Sequence, residues 1–210
     1  MKPYHLCFLG RDEYIDSISH IRDEKTLRFA NQSLEWWDRH ASWKANRCAV
    51  LCDGNENHLC YLFSRIDRYG EYITLYNLFT PFLHRRHGYA TALLRIILGS
   101  AVEKHVRRIT FSSVSGSLDF YMALGFIYWG INEIGDYYCN LPLPLGGLDA
   151  ITLMTASETA AVLIGNSREL IQAKVDGNEH HLTPEQSIKY EADKIRLGDS
   201  FAQKRFEETI

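Results

Sequence analysis

Arg85-Arg86-His87-Gly88-Tyr89-Ala90 concentrates more reactive chemistry than any other stretch of this chain. Two guanidinium groups stand beside a glycine. Behind them, apolar residues recur at Ala90, Leu93, Leu94, Ile97, Leu98, Ala101 and Val102, which is helix spacing. A β-rich run, Tyr72 to Thr80, enters the junction through Pro81. The free N–H groups and positive end of a helix therefore meet two arginines, a combination suited to holding phosphates. Gly88 permits close approach of the anion and tolerates unusual backbone angles, while Ala90 keeps the first turn slim. Arg85 and Arg86 can add charge-assisted hydrogen bonds.

The elements that must position this junction are legible in order. Tyr4 to Leu9 reads as a first strand, ended by Gly10. Two amphipathic helices follow: Asp12 to Ile21, with Tyr14, Ile15, Ile18 and Ile21 on one face, and Thr26 to Ala45, with Leu27, Ala30, Leu34, Trp37 and Ala41. Adjacent Trp36 and Trp37 cannot both face the core, so one is free for a site or a partner. Cys48 to Cys52 and Leu59 to Phe63 are strands joined by the turn Asp53-Gly54-Asn55-Glu56-Asn57-His58, and Arg68-Tyr69-Gly70-Glu71 turns the chain into the central strand. After the helix come a strand at Arg108 to Val114 and a closing hairpin, Ile127 to Ile131 and Tyr137 to Leu141. Antiparallel entry with one parallel crossover predicts an α+β fold, a mostly antiparallel mixed sheet flanked by helices, and not a doubly wound nucleotide fold.

The breaker cluster Leu141 to Gly147 sets an expected boundary between a core domain, 1–147, and a helical extension, 148–210. The extension shows helix starts at the capping box Thr155 to Glu158, at Ser167, and at Thr183-Pro184-Glu185-Gln186. The last leads into the apolar stripe Ile188, Ala192, Ile195. That stripe should cover the core domain or a second copy of the chain, a possible homodimer.

The chain has 210 residues, 46% apolar and 23% charged, and its net charge of −3 excludes a binder relying on general attraction to nucleic acid. The basic cluster is local, and its partner should be a small anion. Five cysteines, an odd number without Cys-x-x-Cys, read as buried free thiols of a reducing compartment. His180-His181 lacks the spacing of a helical metal site, and no metal is expected. No signal peptide or long apolar run is visible, so the expectation is a cytoplasmic protein away from the membrane.

Arg85-x-x-Gly88-x-Ala90 after a strand and before an amphipathic helix resembles the acetyl-CoA pyrophosphate loop of the GNAT N-acetyltransferase superfamily. A second match follows at the family's usual distance: Phe120-Tyr121-Met122-Ala123-Leu124-Gly125-Phe126 is similar to its Phe-Tyr-x-x-x-Gly-Phe segment. One departure is that Pro81 stands four residues before Arg85, where the family has three. The resemblance covers about the first two-thirds of the chain.

The resemblance implies acetyl-CoA as co-substrate, with its phosphates on Arg85, Arg86, His87, Gly88, Tyr89, Ala90 and Thr91. It implies a thioester carbonyl meeting backbone N–H groups near Leu78, Phe79 and Thr80, and a pantetheine arm beside Ser112. Tyr121 matches the family's general acid, with Phe120 facing the core. Trp36, Trp37 and Glu71 would line the site of an amine acceptor, a small molecule or peptide. The general base stays open among Glu71, Glu35 and His84. The leading expectation is an acetyl-CoA-dependent N-acetyltransferase working by direct attack in a ternary complex. The alternatives are a non-catalytic acyl-CoA-binding module and a transferase of a longer acyl group.

Overall fold

The computed structural model describes residues 4–39, 47–132, 134–153 and 181–202. The chain forms two compact units, one of Met1–Ile66 with Thr74–Ser100, the other of Asp67–Ile73 with Ala101–Ile210. The division falls elsewhere than at residue 147.

In the first unit, β1 (His5–Leu9), β2 (Cys48–Cys52), β3 (His58–Ile66) and the body of β4 (Tyr72–Phe79) lie in the order β1-β2-β3-β4. β1 pairs antiparallel with β2, His5 opposite Cys52 and Leu9 opposite Cys48. β2 pairs antiparallel with β3, with a register shift between Leu51 and Cys52. The β2–β3 turn closes on Asp53, whose carboxylate accepts the N–H groups of Asn55 (2.8 Å) and Asn57 (3.0 Å) and the Asn57 amide (3.0 Å). That is an Asx turn, the reason this polar run reads so clearly as a break.

Two helices join these strands, α1 (Arg11–Ile18) and α2 (Glu24–Arg39), and a third, α3 (Tyr89–Glu103), follows β4. Tyr14, Ile18, Ala30, Trp37, Tyr61, Phe63 and Phe79 form one buried cluster. Each large side chain there contributes roughly 1.5–3 kcal/mol by leaving water. Ile15, expected on the buried face of α1, is exposed, because its neighbours Tyr14 and Ile18 take that face. α2 begins two residues before the expected start, since Asp23 caps it: its carboxylate accepts the Thr26 N–H at 2.8 Å. Ala41 and Trp43 of the expected helix lie outside the described residues.

The second unit holds the start of β4 with β5 (Arg108–Ser113), β6 (Tyr128–Ile131) and β7 (Tyr137–Pro142), in the order β4-β5-β7-β6. The Glu71 carbonyl, just ahead of β4, accepts the N–H groups of Arg107 (2.9 Å) and Arg108 (3.2 Å). β7 pairs antiparallel with both neighbours, running Arg108↔Pro142 to Ser113↔Tyr137 along β5. The short α4 (Leu118–Met122) and α5 (Gly147–Leu153) complete this part. Gly125 has φ +83°, and a Cβ there would lie 2.6 Å from the Ile151 carbonyl oxygen, so only glycine lets α5 pass this close. The strands and helices together make a mostly antiparallel α+β fold.

The last helix, α6 (Pro184–Leu197), starts at the expected place: Thr183 accepts from the Gln186 N–H, and Gln186 reciprocates. Of the two roles expected for its stripe, covering the core domain is corrected. Ile188 and Ile195 are 74% and 85% exposed, and Tyr190, Asp193 and Leu197 form the inward face instead. The cause is polar. The Asp193 carboxylate accepts hydroxyls from Ser115 (2.7 Å) and Tyr137 (2.5 Å) and pairs with Lys189 (3.2 Å) and Arg196 (3.0 Å), a network the apolar count could not weigh. The expected helix starts at Thr155 and Ser167, and His180, lie outside the described residues.

Candidate functional site

Pro81 follows the end of β4, residues 82–84 make a single tight turn, and α3 starts at Tyr89. Between them Arg86 (φ +61°) and Gly88 (φ +79°) both adopt left-handed backbone. The expectation that residue 88 needs glycine's freedom holds. The Gly88 carbonyl accepts the Ala92 N–H at 2.9 Å and so opens the helix ladder. The N–H groups of residues 86–91 donate to no acceptor among the described residues. Successive free amides at the positive end of a fifteen-residue helix are an arrangement suited to an anion. A Cβ on Gly88 would meet nothing within 4 Å, so the space in front of the loop is open.

Arg85 and Arg86 divide the labour that sequence assigned to both. Arg86 and His87 are exposed. The Arg85 guanidinium is turned inward: Nη2 donates to Thr26 Oγ1 at 2.7 Å and Asp23 Oδ1 at 3.3 Å, Nε donates to the Thr80 carbonyl at 3.1 Å, and the group lies 5.5 Å from the Phe82 ring centre. Asp23 also accepts the Phe82 N–H at 3.1 Å. One carboxylate thus caps α2 and anchors both ends of the turn before the loop. Burial acts to raise the Asp23 pKa, but the hydrogen bonds from Thr26 and Phe82 and the Arg85 charge outweigh it and hold the group below its ordinary value. Asp23 was missed from sequence, although an aspartate just ahead of a helical run is the usual capping signature.

The loop's aromatic side is Tyr89, stacked on His87 (5.5 Å, 14°), edge-on to Tyr4 at 5.5 Å and 6.3 Å from His84. At the end of β4, Phe79 is buried and stacks on Tyr61 at 4.8 Å, while the Thr80 hydroxyl donates to Cys60 Sγ at 3.2 Å. Burial pushes the Cys60 thiol up to about 12, and Cys48 and Cys139 well above the ordinary value, so these thiols are inert, as their apolar settings led one to expect.

The two tryptophans separate. Trp37 is 3% exposed and packs on Tyr14 (5.7 Å) and Phe63 (5.4 Å), so its expected place in the acceptor site is corrected to the core. Trp36 is half-buried and stands edge-on to Tyr76 of β4 at 6.4 Å. Tyr76 itself is exposed. Asn77, one residue on, is buried and donates to the Phe29 carbonyl (2.8 Å) and Ser33 Oγ (2.6 Å), tying β4 to α2. Glu71 belongs to the turn closed by Asp67, which accepts its N–H at 2.7 Å. Glu35 sits in an exposed pair with Arg39 at 3.4 Å.

No protein-family model and no curated protein matches this sequence. Solved structures do match. Ard1 from Thermoplasma volcanium aligns with a TM-score of 0.53 at 14% identity, covering 66% of this chain and 97% of its own. A chimera of the Vibrio cholerae spermidine N-acetyltransferase SpeG with hSSAT aligns at 0.51 and 14%, covering 65% and 93%. A bacterial toxin aligns at 0.51 and 13%, covering 73% and 95%. The fold is that of the GNAT acetyltransferases.

In this GNAT fold the second sequence motif lies on α4 and the turn after it. Tyr121 is 8% exposed, its ring against Phe111 (4.5 Å), Phe120 (4.9 Å) and Phe126 (5.6 Å). The expected orientation of the pair is reversed, for Phe120 is the half-buried member and Tyr121 the buried one. The Tyr121 carbonyl accepts the N–H groups of Leu124 (3.0 Å) and Phe126 (3.1 Å), which closes the turn at Gly125 and fixes the tyrosine's backbone. Ser112 of β5 is exposed, and its hydroxyl accepts from the Asn132 amide at 3.1 Å. No described helix is long and apolar enough to cross a membrane.

Proposed function

We propose that this chain is an acetyl-CoA-dependent N-acetyltransferase acting on a primary amine of a small molecule or peptide. The observation that carries the reading is the loop: amides of residues 86–91 without acceptors among the described residues, opening onto free space at Gly88, at the head of α3 in a GNAT fold. A pyrophosphate supplies the acceptors those amides lack, with Arg86 as the exposed counter-charge and Ala90 and Thr91 on the first turn. Arg85 serves by holding the loop in shape. Leu78, Phe79 and Thr80 at the end of β4 are the segment for the thioester, and Ser112 of β5 for the pantetheine arm.

The chemistry is a direct transfer. The amine nitrogen bonds to the thioester carbon, the carbon–sulfur bond breaks, Tyr121 gives its proton to the departing thiolate, the nitrogen releases one to water, and water returns one to the tyrosinate. A phenol near pKa ~10 is protonated at neutral pH and can supply that proton. An acceptor amine near ~10.4 must first lose its own proton, which costs about 4–5 kcal/mol at pH 7, whereas an amine near ~8 needs only about 1. Weakly basic amines are therefore favoured. Trp36 and Tyr76 offer them an aromatic wall.

The test is calorimetric titration with acetyl-CoA and CoA, followed by thiol release across polyamines, aminoglycosides, amino acids and peptides. Binding with turnover on one class supports the proposal and names the acceptor. Binding with no turnover on any amine would favour a binding module, and no binding would remove the reading of the loop.

A further inference from the structure

We propose that His5, Cys7, Cys52 and Glu56 form a zinc site that clips the edge strand β1 to the β2–β3 turn. One donor atom from each residue, the imidazole nitrogen, two sulfurs and a carboxylate oxygen, lies within 4.8 Å of the other three. The register explains the convergence. His5 opposes Cys52 across the β1–β2 pair, and Cys7, two residues along β1, shares that face. Glu56 arrives from the turn, where it has the left-handed φ of +62° that a non-glycine residue rarely adopts. The Asx turn at Asp53 holds it there, with the Glu56 N–H on the Asp53 carbonyl at 3.1 Å.

The distances suit tetrahedral coordination. Bonds of about 2.0–2.1 Å to nitrogen and oxygen put those two donors about 3.3 Å apart on a tetrahedron. His5 Nε2 and Glu56 Oε2 are 3.2 Å apart. Zinc–sulfur bonds of about 2.3 Å require sulfurs about 3.8 Å apart, inside the observed spread. Two thiolates with an imidazole select zinc over magnesium or calcium, which prefer oxygen throughout. His5 and Glu56 are exposed, Cys7 is half-buried and Cys52 is buried, so the ion has an entry path and a dry side. Binding would displace a proton from each thiol and replace an exposed His5–Glu56 pair, which alone is worth little. Sequence spacing conceals the set because its members come from two strands and a turn.

The experiment uses the full chain, stripped of metal and kept reduced, titrated with Co²⁺ and then Zn²⁺. The expected result is one equivalent of Co²⁺ with a sulfur-to-metal charge-transfer band in the near ultraviolet and intense visible bands of tetrahedral cobalt, all displaced by Zn²⁺. Cys7→Ser and Glu56→Gln should each weaken binding at least about tenfold. His5→Ala, at an exposed position, should do the same with an unchanged circular dichroism spectrum, so that the test does not depend on altering buried Cys52. No charge-transfer band in the wild type, or a band unchanged in Cys7→Ser, overturns the site. Air oxidation to a Cys7–Cys52 disulfide in a protein whose reduced form takes no cobalt overturns it too, in favour of a redox pair.

Discussion

Removing the Asp23 carboxylate should loosen the anion loop without touching it, and two substitutions separate the reasons. Asp23→Ala deletes the cap of α2, about 1 kcal/mol, and the acceptor of the Phe82 N–H, about 0.5–1 kcal/mol. It also removes the partner of Arg85, a pair that is a quarter to a third exposed and worth about 0.5 kcal/mol once screened. The sum is about 2–2.5 kcal/mol, a fall in Tm of roughly 4–10 °C for a chain of this length. Asp23→Asn keeps one side-chain oxygen, which can still cap α2 through Thr26, but its amide nitrogen cannot accept the Phe82 N–H that Oδ2 holds. It should lose that bond and the charge term, about 1–1.5 kcal/mol, a fall of roughly 2–6 °C. Loss of the Phe82 backbone anchor and the Arg85 side-chain anchor before the loop means that about one residue must be ordered again on binding, at about 1–2 kcal/mol. Acetyl-CoA should bind Asp23→Ala about 5- to 30-fold more weakly and Asp23→Asn with a smaller loss, since an oxygen remains for Arg85. Differential scanning calorimetry and isothermal titration check the two halves. Equal melting shifts in both variants, with unchanged affinity in Asp23→Ala, would refute the clamp. The pH dependence has a definite sign. The Asp23 pKa is lowered in the folded chain, so its stabilisation is complete above about pH 4 and is lost as pH falls through the folded value. The wild-type advantage over Asp23→Asn must shrink in acid and stay flat in alkali.

Gly88→Val should weaken acetyl-CoA binding at least about tenfold, because its side chain would fill the open space before the amides and strain a φ of +79°; titration calorimetry reads it directly. Tyr121→Phe should lower turnover with nearly unchanged acetyl-CoA affinity and lose the alkaline limb of the pH–rate profile, since only a proton donor is removed. Gly125→Ala should cost about 2–4 kcal/mol in chemical denaturation, as its Cβ meets the Ile151 carbonyl at 2.6 Å. Trp37→Ala should cost about 3–5 kcal/mol of stability, while Trp36→Ala should leave stability within about 1 kcal/mol and raise the KM for the amine.

Sequence conveyed those parts of the fold that rest on local periodicity and turn chemistry. The strand at Cys48–Cys52, the helix behind Gly88 and the capped start at Thr183 stand where spacing put them, because each is specified within a few residues. Glycine at 88 was legible because one conformation, φ +79°, demands it. What failed was decided across elements. The inward face of α6 is set by Asp193 meeting Ser115 and Tyr137, and a count of apolar positions assigns that face to Ile188 and Ile195 instead. Arg85 and Arg86 are equivalent on the page, yet only one has Asp23 and Thr26 in reach. The same logic governs His5, Cys7, Cys52 and Glu56. Their sequence separations carry no metal spacing, and the antiparallel register that sets His5 opposite Cys52 is what makes a donor set of them. A one-residue slip of β1 would turn His5 and Cys7 to the other face and abolish the set, so metal binding, if measured, also tests the register.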